Sequence, residues 1–246
     1  MKRRHFIVGM GIGAMSLANA SNVNRAAAAY DTLINVPVTG DKDGGHRTSK
    51  SVRIIGVGGA GCHLLMAMRT SGVLGVNGLR TELIAVDLCP YTLWHVEAAN
   101  KAMPDRVPIR VMQIAKFGSC RRVNAARAAA LRHRESLAAA VTGVDVVILI
   151  AGLGSGTGSG VTPMLAGWSR AAGAQTNVIV VTPFNIGRLV EQSDSALKSL
   201  YKNADQVLHF SNQALGDELG DDATLEDIFS TQERRIATWV RGLSLG

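Results

Sequence analysis

From residue 51 onward, short apolar runs alternate with stretches in which apolar residues recur at helical spacing. The runs 52–57, 82–87, 107–114, 144–151, 177–182 and 206–210 have strand length, and most are rich in valine and isoleucine. Helical spacing between them predicts helices over about 61–71, 91–102, 122–141, 162–173 and 188–204. A last helical pattern, 224–242, opens at Thr224 with Asp227 three residues on, close to a capping box. Strands that are apolar throughout are buried on both faces, and regular strand–helix alternation makes them parallel. The expected fold class is therefore α/β, with a single doubly wound, mostly parallel sheet. In such a sheet, ligands bind beyond the carboxyl ends of the strands.

One of these ends stands out. The apolar run Val146 to Ala151 stops at five glycines spaced one apart: Gly152, Gly154, Gly156, Gly158 and Gly160. Pro163, three residues later, suits the first turn of a helix. Strand, glycine loop and helix start together aim free backbone N–H groups and the positive end of a helix dipole at an anion. Without Cβ atoms the backbone wraps closely around a phosphate chain, and the hydroxyls of Ser155, Thr157 and Ser159 offer further donors. No Gly-Lys-Ser/Thr follows, so this is not the common P-loop with its phosphate-binding lysine.

A second glycine turn follows the strand at 52–57, reading Gly56-Val57-Gly58-Gly59-Ala60-Gly61. It satisfies G-x-G-x-x-G, and the next strand ends in Asp87, about where an acidic residue accepts bonds from a ribose hydroxyl. Taken alone, this predicts an NAD-binding oxidoreductase. The longer loop at 152–160 has no place in that reading. Two glycine loops at strand ends of one sheet grip one polyphosphate from both sides, which suits a mononucleoside triphosphate better than a dinucleotide.

Composition narrows the choice further. The 246 residues are 47% hydrophobic, enough for a sizeable core, while 4% aromatic content argues against single-strand nucleic-acid binding by stacking. The net charge of +7 is unevenly placed. Arg121, Arg122, Arg127, Arg132 and Arg134 form a basic stretch, and an acidic one runs from Asp217 to Asp227. A basic face on one helix is ordinarily solvated surface, and no nucleic-acid partner is expected. Three scattered cysteines, Cys62, Cys89 and Cys120, lack metal-ligand spacing and give no disulfide framework.

The first twenty residues read differently. Lys2-Arg3-Arg4-His5-Phe6, an apolar run to Leu17 and Ala18-Asn19-Ala20 have the three regions of an export signal, with adjacent arginines like those of twin-arginine signals. The expected division is a signal-like or anchor segment over 1–20, a mobile leader over 21–50 and one domain over 51–246.

The motifs together resemble the FtsZ/tubulin family. The run from Gly152 to Gly160 looks like the family's glycine-rich signature loop, and Ile54 to Gly61 like its first phosphate loop. Thr182-Pro183-Phe184-Asn185 with Gly187-Arg188 resembles its Pro-Phe-Asn segment, and Leu225-Glu226-Asp227-Ile228-Phe229 the start of its long central helix. The resemblance implies a Rossmann-like nucleotide-binding domain that holds GTP or GDP, with magnesium accompanying the nucleotide. It assigns Gly58, Gly59, Ala60 and Gly61 to the phosphates from one loop, and Gly154, Ser155, Gly156, Thr157 and Gly158 from the other. Arg188 and Asp87 join the site, Asp87 facing the ribose or a cation. Asn212 is assigned to the base or ribose, Phe229 to the purine face, and Glu233 to the guanine N1 and amino groups.

Departures from the family pattern carry expectations too. Cys62-His63 replaces an asparagine, the glutamate of the Pro-Phe-Asn segment is missing, and the third loop carries Arg121-Arg122 instead of being glycine-rich. Two arginines there can replace a lost phosphate contact electrostatically. The acidic loop that the family inserts into a neighbour's site for hydrolysis is not found after Trp239-Val240-Arg241, nor is the C-terminal domain. The expected function is therefore a GTP-binding, FtsZ-like binding or regulatory module tied to division or filament assembly, with weak or partner-dependent hydrolysis. Expected partners are guanine nucleotide and full-length FtsZ or a second copy, with membrane contact only through the N-terminus. Because GTP is a cytosolic ligand, the expected location is the cytoplasm, at the inner membrane face if residues 1–20 are retained. Export by the twin-arginine-type signal is the alternative location. An NAD-linked oxidoreductase and a degenerate scaffold without nucleotide remain the alternatives for function.

Overall fold

The computed structural model describes residues 51–72, 80–116, 118–119 and 121–243. The signal-like segment and leader expected over 1–50 lie outside the described residues, as do Phe117 and Cys120 of the third loop. Among the described residues six strands and eight helices alternate: β1 (Ser51–Val57), α1 (Gly58–Thr70), β2 (Arg80–Asp87), α2 (Pro90–Ala102) and β3 (Ile109–Gln113) come first. Then follow α3 (Val123–Arg132), α4 (Arg134–Ala139), β4 (Val146–Gly152), α5 (Gly156–Ala171), β5 (Gln175–Thr182) and α6 (Arg188–Asn203). Last are β6 (Gln206–Ser211), α7 (Asn212–Leu219) and α8 (Leu225–Leu243).

Every strand pairing is parallel, and the order across the sheet is β3-β2-β1-β4-β5-β6. The doubly wound α/β expectation is borne out. Both faces are covered. On one, α3, α4, α5 and α6 bury Ala126, Leu137, Val161, Leu165 and Leu200 against Ile55, Leu149 and Val180. On the other, α1, α2 and α8 bury Leu65, Met68, Leu93 and Ile236 against Ile54, Ile150 and Ile179. The alternate residues of one strand thus feed two cores, which is why no polar position breaks the middle of β4. The chain passes from one face to the other between β1 and β4, neighbours whose outgoing helices diverge.

Three elements differ from the sequence pattern. The helix expected over 122–141 is divided by one non-helical residue, His133, into α3 and α4. The N-terminus of α1 lies at Gly58, and that of α5 at Gly156 and not near residue 162. Glycine disfavours a helix by about 1 kcal/mol per residue, so local propensity reads Gly156 to Gly160 as loop. Packing overrides it. A Cβ on Gly156 would lie 2.7 Å from the Ser119 Cβ, and one on Gly160 would lie 2.8 Å from the Val123 carbonyl oxygen. Pro163 consequently sits inside α5 and not in its first turn. The capping box, by contrast, forms as read: Thr224 donates from N and Oγ1 to the Asp227 carboxylate at 2.9 and 2.6 Å, and Asp227 N returns a bond to Thr224 Oγ1.

Close backbone approach between α1 and β4 generates a prediction. A Cβ on Gly61 would be driven into the Ile150 carbonyl, whereas one on Gly59 meets nothing nearer than Thr92 Oγ1 at 3.8 Å. Gly61→Ala is expected to lower unfolding free energy by about 3 kcal/mol, the upper range for over-packing, and Gly59→Ala to change it by less than about 1 kcal/mol. Urea unfolding followed by circular dichroism measures both.

Candidate functional site

The first turns of α1 and α5 meet at the carboxyl edge of the sheet, where the helices that follow β1 and β4 leave to opposite faces. Each is entered through a glycine in the left-handed region, Gly58 at φ 74° and Gly154 at φ 89°. A Cβ on Gly58 would stand 3.1 Å from Gly158 N and 3.2 Å from Thr157 Cβ, so the two turns touch directly. Gly152 admits Ala60, whose Cβ would be only 2.6 Å from a side chain there, and Gly158 rests on the Gly152 carbonyl. The glycine spacing therefore does two jobs. It lets the chain turn, and it lets two helix starts come within a backbone's width of each other.

Neither helix start is capped by a side chain, and neither has an acidic residue in its first turn. The first backbone N–H groups of a helix have no intrahelical acceptor. Those of Gly58, Gly59 and Ala60 in α1, and of Gly156, Thr157 and Gly158 in α5, belong to the two touching turns and have no acceptor among the described residues. In α5 the intrahelical ladder begins with Ser159, whose N–H donates to the Ser155 carbonyl at 3.2 Å. Two dipoles and their free donors thus face one volume, an arrangement suited to a polyanion.

The hydroxyls around this crevice are arranged differently from the sequence expectation. Thr157 Oγ1 donates to Asp87 Oδ1 at 2.8 Å, and the Ser159 hydroxyl accepts from Gly154 N at 2.7 Å. Of the three hydroxyls read as phosphate donors, only that of exposed Ser155 makes no such bond. Asp87 is buried, and its Oδ1 also accepts from Leu88 N at 2.7 Å. It ties the end of β2 to the first turn of α5, so that oxygen is already engaged. A dinucleotide site would need this acid to take ribose hydroxyls, and its engagement by Thr157 weighs against that reading.

The β5–α6 connection joins this cradle to an aromatic corner. Pro183 packs on Gly154, with Cγ 2.8 Å from where a Cβ would be. Phe184 and Ile228 both lie over Gly216, each 3.4 Å from where a Cβ would be, and the centroid of the Phe184 ring lies 6.3 Å from that of Phe229. Phe229 is 46% exposed. It is thus not a plain core residue, and Glu233 follows it one turn along α8, half-buried. Asn212 opens α7, buried, with Oδ1 lacking any hydrogen-bond partner among the described residues. Arg188 is exposed at the first position of α6, after Gly187 at φ 44°. A bidentate pair from Arg235 to Glu218 clamps α7 to α8, and this hydrogen-bonded guanidinium holds the Glu218 carboxyl below its ordinary range.

Pro183 and Phe184 are the residues the sequence reading left out of the site; the signal was there in the segment Thr182 to Arg188. Cys62 is fully buried and turned inward, its thiol donating to the Gly56 carbonyl at 3.6 Å. Burial, with the Asp87 charge behind it, pushes that thiol well above the usual cysteine range. Among the described residues no group of three or more His, Cys, Asp or Glu is placed to hold a metal ion, and no helix is long and apolar enough to cross a membrane.

A doubly wound sheet with two uncapped helix starts interlocked at its switch point defines a nucleotide-binding type of α/β domain. Residues 51–220 match the model of the Tubulin/FtsZ family, GTPase domain. The chain belongs to the Tubulin/FtsZ family. It is 27% identical over 194 residues to the cell division protein FtsZ of Neisseria meningitidis, covering 78% of this chain and 47% of that one. With FtsZ of Pseudomonas aeruginosa it is 29% identical over 200 residues, again covering 78% and 47%. The chain spans about half the length of the curated relatives it matches. Among solved structures, an FtsZ dimer from M. jannaschii superposes with a TM-score of 0.66 at 23% identity, covering 81% of this chain and 55% of that one. CetZ2 from Haloferax volcanii, solved as a GTPγS-bound protofilament, superposes with a TM-score of 0.58 at 22% identity, covering 79% and 59%. These two likenesses bear on the fold alone.

Two expectations follow from the geometry. Thr157→Val keeps the bulk but removes the donor to buried Asp87, and is expected to cost about 2 kcal/mol in chemical denaturation, the range for a lost bond to a charged group. Thr157→Ser, which retains the hydroxyl, should recover most of it. Cys62 should stay unmodified by a maleimide at pH 8 in the folded protein, while half-buried Cys89 is labelled, as read by peptide mass mapping.

Proposed function

We propose that the domain binds GTP and GDP, with the phosphates held between the first turns of α1 and α5 and the guanine between α7 and α8. The observation that carries this reading is the interlocked pair of uncapped helix starts, because it collects N–H donors that no protein group uses. Gly58, Gly59, Ala60 and Gly61 would serve the phosphates from one side, and Ser155, Gly156, Thr157 and Gly158 from the other, through backbone N–H groups and the Ser155 hydroxyl. Gly154 would shape the turn, since its own N–H is taken by Ser159. Asn212 and Glu233 would hydrogen-bond the base, and half-exposed Phe229 would pack on its face. The orphaned Asn212 Oδ1 and the two helix starts without a side-chain cap both fit a bound nucleotide. Arg188 would add charge at the rim. When bound, the nucleotide supplies a hydrolysable phosphoanhydride; the chain supplies orientation and charge stabilisation.

Hydrolysis by the domain alone is proposed to be slow. At the ends of the strands, Asp87 has one carboxylate oxygen bonded to Thr157 and Leu88, and Glu191 stands exposed in the first turn of α6. Neither is held by a second group against the paired helix starts, so turnover is proposed to depend on a partner that brings an acid. That partner is proposed to be full-length FtsZ or a second copy, with a role in filament assembly or cell division. A magnesium ion accompanying the nucleotide would take its ligands from phosphate and water. The proposed location is the cytoplasm, where GTP is available, with any membrane contact made through the N-terminus.

The testing experiment is calorimetry with GTP, GDP, ATP and NAD, followed by phosphate release with and without full-length FtsZ from the same source. Guanine nucleotides are expected to bind and NAD not to. Phe229→Ala and Asn212→Ala are each expected to weaken GTP about tenfold, equal to about 1.4 kcal/mol. Binding of NAD alone would return the site to the dinucleotide reading, and turnover that climbs with this chain's own concentration would show self-stimulation instead of partner dependence.

A further inference from the structure

The charge of this domain is divided between the two ends of its sheet. Between Asp105 and Glu135 the chain carries eight lysines and arginines and no acid; between Asp205 and Arg234 it carries seven acids and no lysine or arginine. The strand order puts the first stretch at one end, on edge strand β3 and the segments that follow it, and the second at the other, after edge strand β6. Neither stretch is neutralised within the molecule. The ion pairs among the described residues join Arg53 and Arg80 to Glu82, Arg170 to Asp205 and Arg235 to Glu218, so Glu218 is the one member of either stretch that is paired. Arg110, Lys116, Arg132 and Arg134 are exposed at the basic end, and Asp217, Asp221, Asp222 and Glu226 at the acidic one. These bases come from a strand, a connection and two helices, so they are not the solvated face of a single helix.

Each end also exposes apolar side chains that the fold leaves uncovered. On α2, which packs on β2 and β3, Tyr91 is 67% and Trp94 59% exposed. Their rings are stacked with centroids 6.2 Å apart, and both meet His95 edge-on, at 4.5 and 5.0 Å. The three rings hold one another in place, so contact with a partner would freeze little side-chain freedom. A pre-ordered Tyr–Trp pair in water has the make-up of an interface anchor. At the acidic end, Leu219 closes α7 and Leu225 opens α8, both exposed.

We propose that the β3 end of one domain docks on the β6 end of a second copy, so that copies of this chain associate side by side across the sheet. Like ends repel, which opposes a two-fold pairing of either end with itself, while unlike ends attract and set the register. The aromatic pair and the two leucines supply the apolar centre of the contact, and the opposed charges its rim. Because the two surfaces differ, each copy keeps one end free for the next, and the product is a row or a ring, not a closed pair. The contact runs across the strands and uses neither of the paired helix starts. Association therefore needs no nucleotide, and the inference stands apart from the nucleotide reading of the site.

The test is sedimentation velocity of the whole chain without nucleotide, in about 0.1 M and about 1 M salt, between which the screening length falls from about 10 to about 3 Å. The sedimentation coefficient is expected to rise with protein concentration at the lower salt and to stay at the monomer value at the higher. Y91S/W94S is expected to weaken association at least about tenfold. R110E/K116E and D221K/D222K should each stay monomeric alone and associate when mixed, because the exchanged charges make their ends complementary again. All six positions are exposed, so thermal melting should remain within a few degrees of the unsubstituted chain and exclude a folding defect. A monomer at the lower salt, association that these substitutions leave untouched, a mixture that stays monomeric, or association that requires GTP overturns the inference. None of these results bears on whether the crevice binds a nucleotide, which calorimetry decides.

Discussion

The meeting of two backbones at the switch point governs this domain. β1 and β4 run side by side, and their helices leave to opposite faces, so the first turns of α1 and α5 must pass within van der Waals contact. Only hydrogen atoms fit between them. Gly61 lies on the Ile150 carbonyl, Gly158 on the Gly152 carbonyl, and Gly58 against Thr157 and Gly158. A methyl group at the tightest of these points would push a helix off the sheet and spread the donors apart. The contact is structural in origin, but its consequence is chemical: six backbone N–H groups and two helix dipoles are brought to one place without any side chain to neutralise them.

Around that contact the polar side chains divide their labour. Some are spent holding the geometry: Thr157 on Asp87 links α5 to β2, and Ser159 on Gly154 sets the turn. Others are left open, among them the buried Asn212 Oδ1. Burying a polar atom without a partner is costly, and Asn212 Oδ1, at the start of α7, is such an atom among the described residues. The β5–α6 connection couples the two halves, Pro183 wedged on Gly154 and Phe184 on the α7–α8 corner. The aromatic corner and the paired helix starts are thereby joined by one short segment.

Membership of the Tubulin/FtsZ family, over residues 51–220, explains why this arrangement sits on a strand order shared with dinucleotide-binding folds yet differs in its chemistry. Order alone does not decide between the two classes. What separates them is the second glycine turn, together with the bond from Thr157 that engages one oxygen of Asp87. Where the chain departs from its family, the structure gives reasons of two kinds. Cys62 is buried on the inner face of α1, whereas the third loop is seated on the start of α5, with the Ser119 side chain and Arg122 N against Gly156.

Much of the architecture was legible in the linear pattern. Runs of valine and isoleucine bury both faces of a strand wherever they occur, so six parallel strands, their order of appearance and the capping box at Thr224 follow from local rules. The glycine spacing was legible as well, and with it the carboxyl edge as the site. The reason for that spacing was not. Propensity reads Gly156 to Gly160 as loop, and only the proximity of Ser119, Val123 and Gly152 turns it into a helix start. The same holds for Asp87, whose partner Thr157 is seventy residues away, and for Phe229, whose exposure depends on how α8 lies on Phe184. Short-range chemistry determined most of the elements and which strand ends carry the two glycine turns. Which donors are free, which acid is engaged and which aromatic ring is open was decided by long-range packing, because each depends on which atoms the fold brings within a bond's length.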